Sequence, residues 1–270
     1  MNPQDVSTSF LIATDYIRAM RGGAQSYMLT ANDGHAYVVK FPNNPQSLRV
    51  LVNEWLGCSI GRALGLTIPE PAILYVPATL VESSPSLVIQ ASNSTLKCSY
   101  GLAFGSRFIS EGQLFDYLPD SAFSQVENVR EFSGVFALDR WLCNCDGRQV
   151  VFCESERGFR AHFIDFGFCF NAGEWNFPDT VLRGIYAHKV VYQDVGGWQS
   201  FEPWLSRIES FPLTTLWAIA GEVPPEWVER DTLFLLVERI DARRSRVREL
   251  IAAVRQSQRN PFGAWTEDKP

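Results

Sequence analysis

The sequence lacks an excess of positive charge: 24 Lys and Arg stand against 30 Asp and Glu, for a net charge of −6. A protein that grips a nucleic-acid duplex usually carries a basic footprint, so no nucleic-acid contact is expected. Nucleotides stay open, because one lysine and one metal ion can hold a triphosphate locally. No apolar run reaches about 18 residues, so no membrane-spanning helix is expected. No basic-then-apolar segment precedes a small-residue cleavage site, so no signal peptide is expected. Histidine is scarce. His35, His162 and His188 are scattered and no two stand at metal-ligand spacing. His162, before Ile164 and Asp165, reads as structural. The six cysteines form no C-x-x-C pair. Cys143 and Cys145 suit opposite faces of a strand, or an irregular loop, better than a zinc knuckle. Without an export signal these thiols are expected to be reduced, in a cytoplasmic protein. No G-x-S-x-G surrounds Ser26, Ser47 or Ser106, so hydrolase chemistry has no support. No internal repeat or low-complexity tract is present.

What is present is globular. Hydrophobic residues make up 46% and charged residues 20% of 270 positions, with 19 Phe and 8 Trp. That length suits one large domain or two closely packed lobes with an aromatic-rich core or cleft.

The chain reads as β-rich first and helical later. Residues 10–41 look extended, with a hairpin signal at Asn32-Asp33-Gly34 between apolar-polar stretches. Arg21-Gly22-Gly23-Ala24-Gln25-Ser26 is a short glycine-bearing loop before it. Ser47 can cap a helix running to about Leu64, ended by Gly65. Strands are expected near 72–81 and 86–91, and 92–108 looks less regular. Ser110-Glu111-Gly112 reads as a linker. Beyond it a mostly helical half is expected. Helical spacing covers 123–143, a short hairpin lies at 150–153 and 162–165, and helices follow near 202–210, 213–220 and 230–256. The fold class expected is therefore α+β in a two-lobe layout, divided into residues 1–110 and 111–270 with a cleft between.

Phosphoryl transfer needs phosphates held, magnesium held by carboxylates, and a hydroxyl oriented in line. Each need has a candidate. Gly22, Gly23, Gln25 and Ser26 could bring backbone N–H groups to phosphate oxygens, although Gly-Gly is ordinarily only a turn. Lys40, ending an apolar strand, could neutralise phosphates or merely blunt a sheet edge. Glu54 could brace that lysine; by helical spacing alone it is a solvated residue opposite the apolar stripe. Asp146, in Asn144-Cys145-Asp146-Gly147, could serve a substrate hydroxyl or simply form an Asp-Gly turn. Asp165 ends an apolar strand before Phe166-Gly167, where a carboxylate is costly to bury unless paired or on a metal. The basic run Arg243 to Arg248 reads as a solvated helix face, with a docking surface for an acidic partner as the alternative.

The stretch Asp139-Arg140-Trp141-Leu142-Cys143-Asn144-Cys145-Asp146-Gly147-Arg148-Gln149, followed by His162-Phe163-Ile164-Asp165-Phe166-Gly167, resembles the HipA-like kinases. Gly105-Ser106-Arg107-Phe108 and Val223-Pro224-Pro225-Glu226-Trp227 also look like that family's shorter bacterial members. The resemblance spans roughly residues 15–255. It implies a bilobal protein-kinase-like fold with a β-rich N-lobe and a helical C-lobe, ATP with Mg2+, and Ser/Thr phosphorylation of a protein. Lys40 then matches the phosphate lysine, Glu54 its partner, Asp146 the catalytic Asp and Asp165 the metal Asp. One position departs: such kinases usually carry Asn five residues after the catalytic Asp, and here that residue is Val151. Gln149 is the nearest amide and could supply the second metal oxygen. Val151 leaves open a slow kinase or a pseudokinase scaffold that only binds nucleotide. A small-molecule or lipid kinase shares the same loop logic.

Overall fold

The computed structural model describes residues 10–91, 93–180 and 183–266. The ends of the two expected segments, residues 1–9 and 267–270, lie outside the described residues.

Apolar-polar alternation and the Asp-Gly turn produce the strands expected at the start. β1 (Leu11–Ala19), β2 (Tyr27–Ala31) and β3 (Ala36–Lys40) run antiparallel in sequence. The β2–β3 turn forms at Asn32-Asp33-Gly34. Gly34 adopts φ 82° there, and Asp33 Oδ1 accepts from His35 N–H at 3.0 Å. α1 (Arg49–Ala63) follows, with Ser47 Oγ accepting from Arg49 N–H just ahead of it. Next come β4 (Pro71–Val76), α2 (Ala78–Ser83), β5 (Val88–Ala91), β6 (Ser94–Lys97) and β7 (Gly101–Arg107). The strands β1-β2-β3-β7-β4 close into a barrel, with β1 and β4 pairing in parallel. Leu29, Val39, Leu74 and Ala103 fill its interior.

Two expectations fail here. Residues 92–108, read as irregular, contain β7, which pairs with both β3 and β4. Its glycines disguise it. A Cβ on Gly105 would stand 2.1 Å from Leu74 Cδ1, so close packing requires the residue that looks like a breaker. The strand expected over 72–81 stops at Val76 because Pro77 opens α2.

The second half holds β8 (Leu114–Phe115), α3 (Glu131–Trp141), β9 (Gln149–Ser155) and β10 (Gly158–Ile164). It continues with α4 (Trp204–Glu209), α5 (Leu213–Gly221), α6 (Arg230–Arg244) and α7 (Val247–Gln256). β8 joins the expected hairpin to make a three-stranded sheet, so this half is less purely helical than its periodicity implied. The helix expected from 123 begins at Glu131. Phe123 and Val126 are buried instead through a 3-10 turn and a bridge to Phe159. The helix expected over 230–256 breaks at Ser245 into α6 and α7. The result is a mixed fold of sheets and helices with one large aromatic core around Phe132, Phe136, Trp141, Phe163 and Tyr192. No helix among the described residues is long and apolar enough to cross a membrane.

α1 packs in the large core and meets the barrel at Lys40. Its residues from Val50 to Gly61 are buried apart from Trp55 and Ser59, which are only partly exposed. An amphipathic stripe therefore misdescribes it. The side away from the apolar stripe faces other protein, which puts Glu54 inside.

Candidate active site

Lys40 is the last residue of β3 and Glu54 lies one turn into α1 past its first buried residues. The two form a buried ion pair, with side-chain exposures of 8% and 2%. Asp165, just past β10, brings Oδ1 within 2.9 Å of Lys40 Nζ and is 21% exposed. So three groups distant in sequence meet at one point. The solvated reading of Glu54 is corrected: its carboxylate also accepts from Phe166 N–H and Gly167 N–H, each at 3.0 Å. Backbone donors and an ammonium together replace the water a buried carboxylate loses.

Electrostatics follows from this packing. Burial opposes the charge of Lys40, but Glu54 and Asp165 win and hold its ammonium above the ordinary lysine range. Burial pushes the Glu54 carboxyl up, against the pull of Lys40. Burial also opposes the Asp165 charge, yet Lys40 beside it keeps that carboxyl below the usual carboxylate range. With both acids ionised the group carries one surplus negative charge, on the more exposed member. That is a site suited to a cation.

The backbone around Asp165 is held in costly conformations. Asp165 adopts φ 61°, and Phe170, Asn171 and Ala172 follow at 58°, 61° and 56°. Left-handed non-glycine residues persist only where surroundings over-determine them. Asn53, fully buried on α1, is one such determinant. Its Nδ2 reaches the carbonyls of Gly167, Cys169 and Ala172 at 2.7, 3.0 and 2.8 Å. Trp175 Nε1 donates to its Oδ1 at 2.8 Å.

Asp146 lies in the loop between α3 and β9 and is exposed. Asn144 Oδ1 accepts from Asp146 N–H at 3.1 Å, and Asp146 Oδ1 accepts from Gly147 N–H at 2.7 Å. Cys145 N–H donates to Phe168 O at 3.0 Å, tying this loop to the chain just past Asp165. Beneath it Asp139 and Arg148 form a fully buried bidentate pair, at 2.6 and 3.0 Å. Arg148 Nη1 then reaches Ile164 O at 2.6 Å and Asp165 O at 3.2 Å. Gln149 opens β9 directly opposite Ile164, one residue from Asp165, and is exposed. Val151 pairs with His162 further along the hairpin.

The glycine loop lies at the same end of the β2–β3 ladder as Lys40, because Tyr27 pairs with Val39. Gly22 has φ 116° and open space where a side chain would be. Ser26 is buried and its carbonyl accepts from Met20 N–H at 2.9 Å. Gln25 is not a free ligand: its amide pairs with the backbone of Gln90 at 2.8 and 2.7 Å. Loop and β5 are thereby stapled together.

Of the residues expected from sequence, the structure brings Lys40, Glu54 and Asp165 together and sets Gln149 opposite Ile164, while Asp146 lies in a neighbouring loop; Asn53, Asp139 and Arg148 were overlooked. Asn53 carried no signal, being one more polar residue within a helix. Asp139 and Arg148 belong to the quoted motif, and their full burial is what shows their positioning work.

Within the basic run Arg243 departs from a solvated face: it is buried against Asp179, whereas Arg246, paired with Asp179 and Glu249, and Arg248, paired with Glu209, keep side chains 42% exposed.

Residues 15–259 match the profile of a family described as HipA-like kinase. Among solved structures, the proinflammatory kinase CtkA of Helicobacter pylori is similar at 17% identity and TM-score 0.58, covering 93% of this chain and 98% of that one. The Golgi casein kinase is similar at 11% identity and TM-score 0.56, covering 93% and 75%. HipA of Shewanella oneidensis MR-1, solved with HipB and operator DNA, follows at 10% identity and TM-score 0.50, covering 96% and 70%. At these identities the likeness is one of fold. No curated protein matches the sequence.

Proposed function

The chain belongs to the HipA-like kinase family, and from that premise we propose that it transfers the γ-phosphate of ATP to a Ser or Thr hydroxyl of a protein. The observation that carries this is the buried meeting of Lys40, Glu54 and Asp165, with Glu54 also holding the Phe166 and Gly167 N–H groups. In this reading residues 1–110 are a β-rich N-lobe for the nucleotide phosphates, and 111–270 a helical C-lobe with the catalytic loop. ATP lies in the cleft between these lobes.

Lys40, braced by Glu54, binds the α- and β-phosphates. Gly22 and Gly23 offer backbone N–H groups, with Ser26 beside them; Gln25 serves by fixing the loop to Gln90. Asp146 orients the acceptor hydroxyl and takes its proton at a carboxylate oxygen. Asp165 and Gln149 would hold magnesium. Among the described residues no cluster of three or more His, Cys, Asp or Glu could cage a metal alone. That fits a magnesium ion that keeps waters and phosphate oxygens as its other ligands. Bound there, the ion would neutralise negative charge on the nucleotide phosphates. The surplus negative charge on the Lys40 group supports this donor set.

A second reading, a pseudokinase scaffold, rests on Val151. The strand register favours the enzyme, because Gln149 rather than Val151 stands next to Asp165. The test is transfer of radiolabelled γ-phosphate to a panel of proteins, with intact-mass measurement for self-phosphorylation. Transfer by the wild type and its loss in Asp165→Ala are expected. Nucleotide binding without transfer to protein, small-molecule or lipid acceptors would leave the scaffold. Transfer only to small molecules or lipids would replace the protein substrate.

A further inference from the structure

The stretch Val223-Pro224-Pro225-Glu226-Trp227, in the loop before α6, contributes no residue to the Lys40 site. Glu226 and Trp227 instead line a cavity of about 640 Å³. Phe10, Tyr75, Tyr100 and Leu102 line it from the barrel strands and their ends, and Pro42 and Leu48 from the link between β3 and α1. Lys40, Glu54 and Asp165 do not line it. The volume falls within the range of about 300–1,000 Å³ usual for small-molecule sites.

Four aromatic rings share this cavity. Trp227 is buried and fixed, with Nε1 donating to Leu102 O at 3.1 Å. The Phe10 and Tyr75 rings stand 6.0 Å apart, and Tyr100 is 65% exposed. Elsewhere this fold covers ring faces with its own guanidiniums, as Arg49 covers Trp175 at 4.4 Å and Arg148 covers Phe166 at 4.2 Å. Among the described residues no such cation covers these four rings. The charge of the lining is one-sided as well. Glu226 is exposed and forms no ion pair among the described residues, and no Lys, Arg or His joins it in the lining.

Aromatic faces are electrically negative and attract cations, Trp most strongly. The polar groups decide which cation. Asn43 and Ser99 also line the cavity, but they are turned on each other. Ser99 N–H and Oγ donate to Asn43 Oδ1 at 3.0 and 3.2 Å, and Asn43 Nδ2 donates to Lys97 O at 2.8 Å. A primary ammonium would shed its water here and find few acceptors for three N–H groups. A quaternary ammonium has no N–H to satisfy, and its alkyl groups suit Pro42, Leu48 and Leu102.

We infer that this cavity binds a small quaternary ammonium compound, its charge set among the rings near Glu226. The volume leaves room beyond a trimethylammonium head, so the ligand carries an apolar body too. A free small molecule fills such a space better than one methylated lysine side chain. The site stands whether or not the protein transfers phosphate.

Ligand-observed NMR titration at constant ionic strength tests it without any activity. Benzyltrimethylammonium is expected to bind saturably with Kd about 0.1–1 mM, and choline several-fold more weakly. Neohexyl alcohol, the neutral carbon isostere of choline, should bind at least tenfold more weakly than choline. Tyr100→Leu keeps apolar bulk but removes a ring, and Glu226→Gln removes the charge. Both side chains are exposed, so folding should survive, with an unchanged Tm as the check. Each variant is expected to weaken benzyltrimethylammonium roughly three- to fivefold, and the pair by about tenfold or more. Lys40→Met should bind it as the wild type does. Isostere and choline binding equally would reveal an apolar pocket with no preference for charge and overturn the inference. So would unchanged affinity in the double variant, loss of binding in Lys40→Met, or no saturable binding of either ammonium. A trimethyllysine peptide binding tenfold more tightly than benzyltrimethylammonium would overturn the assignment to a small molecule.

Discussion

Asp139 shows how much a single side chain can hold without touching substrate. It and Arg148 are each fully buried, so removing one charge strands the other. Asp139→Asn is expected to cost about 3–5 kcal/mol in urea unfolding. Adding Arg148→Met should recover much of that stability. Turnover should not return with it, because Ile164 O and Asp165 O lose their donor. A cost below about 1 kcal/mol for the single variant would sink this account. His162 gives a test in pH. Burial first, and Arg160 second, push its imidazole down from 6.5 to about 4. Between those values the unfolded chain binds a proton that the folded chain refuses. Stability is therefore full above pH 6.5 and declines as pH falls toward 4. His162→Gln should lack this component, about 1 kcal/mol at the low end. The wild-type-minus-variant difference in stability isolates it from the carboxylates, and a difference that stays constant with pH would refute it. The sequence is most legible at this scale where chemistry is unusual. Asp165 stood out because a carboxylate between an apolar strand and Phe-Gly has few uses. Glu54 did not, because helical spacing describes one helix against one core. α1 is packed on nearly every side, and no periodicity announces a second contact face.

At the scale of elements, the meeting of α1 with the Phe166-Gly167 turn decides the geometry. A Cβ on Gly57 would lie 2.6 Å from Phe166 Cβ and 2.9 Å from Cγ and Cδ1. Alanine normally strengthens a helix interior by roughly 0.5–1 kcal/mol over glycine. Here overpacking should reverse the sign, costing about 1–3 kcal/mol. Because Phe166 follows Asp165, phosphoryl transfer should fall by more than tenfold in Gly57→Ala. Gly221→Ala, with open space around it, is the control and should leave Tm and rate within error. Equal behaviour of the two variants would show that the helix–turn contact does not matter. Glycine explains the missed strand as well. β7 was illegible because Gly101 and Gly105 read as breaks: at Gly105 the neighbours Leu74 and Tyr37 leave no room for a side chain, and at Gly101 a φ of 107° favours glycine although space is open. The early hairpin was legible because its signal is local, an Asp-Gly turn between alternating stretches. The start of α3 was not. The burial of Phe123 and Val126 comes from Phe159 and Phe152, residues far away in sequence.

For the whole molecule, the question is what couples the barrel to the helical part. The barrel has its own core, while α1 belongs to the large core that it shares with α3 and the β9–β10 sheet. Ile73 of β4 and Phe104 of β7 also pack into that large core. Polar ties add to this: Lys40 reaches Asp165, and Trp227 Nε1 reaches Leu102 O at 3.1 Å. A nucleotide whose phosphates bridge Lys40 and Asp165 would add a tie where these parts meet. It binds the folded state alone, so stabilisation should follow mass action, about 2.7 kcal/mol at a hundred times Kd. Magnesium should be required for most of it, because ATP without the ion brings its phosphate charge against Asp165 and Glu54. A non-hydrolysable ATP analogue with Mg2+ is therefore expected to raise Tm by several degrees, and the analogue alone by much less. Asp165→Ala should erase the magnesium dependence. Lys40→Met should lower the gain under both conditions, since it removes the cation that either form needs. Equal stabilisation with and without magnesium in the wild type would mean that Asp165 serves Lys40 and the fold, not a metal. The proposed division of labour between Lys40 and Asp165 would then fail, even if the nucleotide still bound.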